Sequence, residues 1–164
     1  MLKMIKDLGP LAVGVVLVGV LIAFLLGQGN NIGNWLLAAF LLGHGWVHVM
    51  YLMPRTGPQA ATAGGPEWPF TLERSWLLSG LGLGSALRTV GAALVAVTLI
   101  GYVLASLASI PLGVPAAAWA ALTLTATAAS LLLMALFFSP TLLIGFGIDA
   151  VLVWIVLMRI WQPA

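Results

Sequence analysis

Residues 116–161 read AAAWAALTLTATAASLLLMALFFSPTLLIGFGIDAVLVWIVLMRIW. Asp149 and Arg159 are the sole charged residues in this stretch, and Ser139-Pro140 is its one clear break. On either side of the break lies an apolar run of about 20 residues, the length that crosses the hydrocarbon core of a bilayer as a helix. The stretch therefore reads as two transmembrane helices, residues 116–138 and 141–161. Ser139-Pro140 is then a minimal connection between them.

The rest of the chain follows the same pattern. Of its 164 residues 62% are apolar and 6% charged, and mean hydropathy is +1.16. Soluble domains carry about 25% charged residues, so this chain cannot cover a water-facing surface. A soluble enzyme, a Rossmann domain and a P-loop domain are excluded, and a net charge of +2 is too small for a nucleic-acid binder. With no cysteine, disulfides, thiolate metal centres and thiol catalysis are excluded as well.

Moving toward the amino terminus, Pro111 and Pro115 bracket a turn, preceded by a span over residues 86–109. Residues 71–83, broken by glycines, read as an interfacial segment. Pro54 ends a span over residues 32–53. The run over residues 10–26 follows Lys3, Lys6 and Asp7 but leads into Gly27-Gln28-Gly29-Asn30-Asn31 with no small-x-small cleavage signal, so it is expected to be a retained helix. The expectation is an all-α integral membrane protein: a five-transmembrane-helix bundle with one interfacial segment, a single membrane domain over residues 1–164. Glycine and alanine recur in every span, as close helix packing in lipid requires. With the amino terminus inside, Lys3, Lys6, Arg55, Arg74 and Arg88 face the cytoplasm, together with the loop over residues 54–85. Arg159 then lies outside, which fits the positive-inside rule for an inner-membrane protein with its carboxyl terminus outside. Trp35, Trp68, Trp76, Trp119 and Trp161 are expected in the headgroup belt, and Trp46 and Trp154 in deeper packing.

An ionisable group within a span is costly and marks a candidate site. His44 and His48 stand four residues apart in Gly43-His44-Gly45-Trp46-Val47-His48, on one helix face, with Tyr51 continuing the stripe. At about 1.5 Å per residue, His44 lies about 14 Å deep, His48 about 8 Å, and Asp149 and Ser130 about 12 Å each. Thr127 and Thr123 extend the Ser130 face. These depths predict one polar layer of His44, His48, Asp149, Tyr51 and Ser130 if their helices meet. Arg88, about 3 Å from the start of its helix, is interfacial.

Two histidines at i and i+4 with an aspartate from a facing helix suit a proton, a small solute or a divalent metal held by His44, His48 and Asp149. Gly45 stands where a zincin carries its glutamate, which excludes that protease class. The chain also has too few ligands for a di-iron centre. A haem or pigment with His48 as one axial ligand and Met134 as the other is an alternative. So is a purely structural subunit in which the polar groups only hydrogen-bond helices together. So small a bundle is expected to work in the lipid bilayer as a homo-oligomer or as part of a larger membrane complex.

Overall fold

A computed structural model describes residues 31–53, 70–110 and 112–163. The expected span over residues 10–26 and most of the loop after Pro54 lie outside these residues. Among the described residues the chain is helical, with no strand. Helix α1 (Asn31–Val47) continues as a 3-10 turn, His48–Leu52. A short α2 (Trp76–Gly80) follows, then α3 (Leu87–Ser109), α4 (Trp119–Leu136) and α5 (Leu143–Leu157). Single 3-10 turns lead into the last three, at Gly84–Ala86, Ala116–Ala118 and Pro140–Leu142. Counted with these turns, four apolar helices of 18 to 26 residues can cross a membrane, spanning about 27 to 39 Å against a core of about 30 Å. The protein is a multi-pass, all-α membrane bundle.

The four long helices run up and down. α3 packs most extensively on α4, then on α1, and α4 also packs on α5. Small residues permit the closest of these approaches. A Cβ on Gly101 of α3 would sit 2.8 Å from Cβ of Ala126 on α4, and one on Gly45 of α1 would sit 3.0 Å from Cβ of Tyr102. The backbones of α1 and α5 make few contacts with each other, and side chains join them instead.

Two apolar clusters fill the interior. One, at the Leu52 end of α1, gathers Tyr51, Leu72, Val95, Leu133, Met134 and Phe137. The other, toward the opposite end, gathers Leu37, Leu41, Trp119, Leu152, Ile155 and Trp161 around the Tyr102 ring. The polar residues lie between them.

Several expectations are corrected here. The last helix stops at Leu157, short of residue 161. The Arg159 and Ile160 amides turn back to Val156 and Ile155 (3.2 and 3.1 Å), with Arg159 at φ +50°, which is a Schellman ending with arginine in the left-handed position that glycine usually takes. That reversal folds Trp161 inward. Trp161 and Trp119, expected in the headgroup belt, are buried edge to face with centroids 4.6 Å apart, and the Trp161 indole donates to Asn34 Oδ1 at 3.2 Å. Conversely Trp46 and Trp154, expected in deeper packing, are 64% and 53% exposed and face the lipid side of the bundle. The interfacial segment is helical over Trp76–Gly80 only; Gly82 at φ +72° closes it by the same reversal.

Candidate functional site

The polar layer is assembled from four helices. α1 carries His44 and His48 one turn apart, with ring centroids 5.3 Å apart and planes at 89°. His44 Nε2 donates to Asp149 Oδ1 of α5 at 2.8 Å. The Asp149 side chain is fully buried and that of His44 is 7% exposed. Phe40 stacks on the His44 ring (centroids 6.1 Å apart, planes at 5°) and Tyr102 meets it edge-on at 5.1 Å, so the ring is fixed on both sides.

The same carboxyl oxygen takes a second bond. The Tyr102 hydroxyl of α3 donates to Asp149 Oδ1 at 2.7 Å. Having given its one proton away, it accepts from Thr127 Oγ1 of α4 at 3.0 Å. The other carboxyl oxygen, Oδ2, is buried with no hydrogen-bond partner.

His48 belongs to a neighbouring branch. Its Nδ1 donates to the backbone carbonyl of His44 at 3.0 Å. A carbonyl can only accept, so Nδ1 carries the proton and, in the neutral ring, Nε2 accepts from Ser130 Oγ of α4 at 2.8 Å. This bond sits where α1 gives way to its 3-10 turn, at a helix end whose last carbonyls lack i+4 partners.

Thus His44, Asp149, His48 and Ser130, all anticipated, lie in one layer, with Thr127 beside them. Tyr51 does not join their hydrogen bonding. In the 3-10 turn residues three apart eclipse, which lays the Tyr51 ring 6.5 Å from that of His48 with planes at 22°. Its other ring neighbours are Phe70 and Phe137. Its buried hydroxyl has no partner, and its ring packs in the apolar cluster.

Tyr102 is the residue that sequence reasoning missed. Counted along its helix it lies well beyond the depth of Asp149, but its Cβ packs against Gly45, beside His44; with its leading turn α3 has 26 residues, longer than the hydrocarbon core requires, so counting from its first residue overstates depth. The available signal was a second tyrosine hydroxyl inside a span.

Neither ligand set fits these positions. The His44–Asp149 bond is direct at 2.8 Å, leaving no room for an ion that binds each ligand at about 2 Å. Among the described residues no three His, Asp or Glu side chains are grouped to hold a metal. As for haem, both nitrogens of His48 are engaged. Met134 is buried in the apolar cluster with its sulfur against Gly145 of α5, where an added Cβ would lie 2.6 Å away. His48 and Met134 therefore do not form an axial pair.

No protein-family model matches the chain, and comparison with curated proteins and with solved structures found no match.

Proposed function

We propose that this protein binds and passes a proton at the His44–Asp149 pair, as a subunit of a transporter-like homo-oligomer or larger complex in the cell (inner) membrane. The observation that carries the reading is the direct 2.8 Å bond between an imidazole and a fully buried carboxyl group, in a region where an isolated charge costs several kcal/mol, of order 3 on insertion scales. Such a pair holds one proton in either of two arrangements, neutral or ionic. The Tyr102 hydroxyl donates to Asp149 and accepts from Thr127, so the two hydroxyls extend the pair as a hydrogen-bonded chain. The same donor set favours a proton over a metal, since His48 has no lone pair free.

The orientation we infer from the sequence places the Leu52 end of α1, with Arg74 and Arg88, in the cytoplasm. The polar layer then lies in the inner leaflet. Four described helices form too thin a wall for a closed pore, which favours an assembly.

The test is infrared difference spectroscopy on protein in liposomes, stepped between about pH 5 and 8, with flux measured by an entrapped pH dye. Wild type is expected to show a protonated-carboxyl band that changes with pH, together with flux. Asp149→Asn should lose both with helicity intact. If Asp149→Asn leaves flux and the band unchanged, the proton reading fails and the layer is interhelical packing.

A further inference from the structure

A second site lies at the Leu52 end of the bundle, away from the His44–Asp149 pair. A cavity of about 230 Å³ opens between the end of α1, the segment leading into α2 and the first turns of α3. Its lining includes Tyr51, Met53, Phe70, Glu73, Arg88 and Ala92. At about 30 Å³ per water it has room for seven or eight waters. That is below the about 300–1,000 Å³ of sites for drug-sized ligands and of the scale of a small headgroup.

The charges are what distinguish it. Glu73 and Arg88 line the same cavity, yet among the described residues the one ion pair is His44–Asp149, so these two opposite charges do not pair with each other. The wall carrying Glu73 is held in place. The methyls of Leu72 fill the notch at Gly91 and leave no space for an added Cβ. Thr71 Oγ1 accepts the Glu73 amide at 3.3 Å, Ser75 caps α2, and the Trp76 indole donates to the Ala135 carbonyl at 2.7 Å. On the facing wall Arg88 is in the first turn of α3, continuous with the 3-10 turn Gly84–Ala86.

A simple anion would meet Glu73, and a simple cation would meet Arg88. One ligand satisfies both: a zwitterion with a phosphate and a primary ammonium a few ångströms apart. The apolar part of the lining, Met53, Phe70 and Ala92, suits the glycerol and first methylenes behind such a group. The cavity also sits where two spans end, at Leu52 and Gly84, which is headgroup depth. We propose that this cavity binds a phosphoethanolamine group, with its phosphate on Arg88 and its ammonium on Glu73.

The experiment is native mass spectrometry of the full chain in detergent with equal amounts of phosphatidylethanolamine, phosphatidylcholine and phosphatidylglycerol of matched chains. Wild type is expected to retain the ethanolamine lipid about tenfold over either competitor, as loss of one charge-assisted hydrogen bond gives. Glu73→Gln should erase the preference over phosphatidylglycerol while keeping retention. Arg88→Gln should reduce retention of all three. Ala92→Leu, which fills the cavity and changes no charge, should do the same, and it serves if Arg88→Gln does not fold by circular dichroism. Excess soluble glycerophosphoethanolamine separates the sources. Displacement of the lipid shows that the headgroup alone is recognised and that a free zwitterion can be the ligand, whereas retention of the lipid shows that the acyl-linked form is required. Equal retention of the three lipids by wild type, or an unchanged preference in Glu73→Gln, would overturn the proposal.

Discussion

Removing a single oxygen, by Tyr102→Phe, tests the polar layer most directly. The ring stays, and with it the packing of a residue that is fully buried. Two bonds are lost: the donation to Asp149 Oδ1 at 2.7 Å and the acceptance from Thr127 Oγ1 at 3.0 Å. In water-soluble proteins a bond to an ionised group contributes about 1.5–3 kcal/mol and a neutral one about 1. In membrane bundles measured couplings average only about 0.6 kcal/mol and reach about 1.7, because the unfolded state in lipid also finds partners. The membrane scale applies here, and two bonds on it give an expected loss of about 1–2 kcal/mol. Reversible unfolding in mixed micelles, followed by helical circular dichroism, measures it. The Asp149→Leu cycle then isolates the Tyr102–Asp149 term, expected at about 1 kcal/mol on the same scale. A coupling within the about 0.3–0.5 kcal/mol scatter of independent sites would refute the claim that this hydroxyl bonds the carboxyl group.

Gly101→Ala forces α3 and α4 apart at Ala126 and should cost about 1–3 kcal/mol in the same assay. Gly43→Ala, with nothing within 4 Å of the new Cβ, should instead stabilise by about 0.5–1 kcal/mol. Arg159→Gly relieves a left-handed arginine, whose strain is about 1–2 kcal/mol, and should raise stability by up to about 1 kcal/mol after the entropic cost of glycine. Ser130→Ala removes the donor to His48 Nε2, and nitrogen NMR of labelled histidine should report an altered Nε2 with Nδ1 still protonated; an unchanged spectrum would contradict the assigned tautomer. A cysteine introduced at Ala63 should stay unlabelled by an impermeant thiol reagent in intact cells, and labelling there would reverse the inferred orientation.

The spans were legible because a helix in lipid must satisfy its backbone internally and present apolar side chains over a fixed length. The partnership of His44 with Asp149 was legible for a related reason. Few ionisable groups occur within the apolar spans, and equal depth along two helices is readable from residue counts. Depth counting fails for a helix longer than the hydrocarbon core, and Tyr102, on the 26-residue span Gly84–Ser109, escaped on that account. Tyr51 does lie on the His48 stripe, since residues three apart eclipse in the 3-10 turn, but one turn further along that stripe the neighbours are Phe70 and Phe137, which sequence spacing does not reveal. The tryptophans failed differently. Whether Trp119 or Trp154 faces lipid depends on how a helix is rotated against its neighbours, and apolar periodicity is weak when both lipid and core are apolar.

The buried carboxyl group also bears on how the protein is made. Asp149 lies on α5, after α1, α3 and α4 in the chain, so His44, Tyr102 and Thr127 emerge from the ribosome before it, synthesis running at about 5–20 residues per second. An aspartate at the centre of a helix opposes entry into the bilayer by about 2.5–3.5 kcal/mol, and the helix that carries this one meets donors already in place. Entry of α5 is thereby coupled to correct assembly of the earlier helices. A chain in which they have not assembled would leave an unshielded acid in lipid, a lesion that membrane quality-control proteases can recognise.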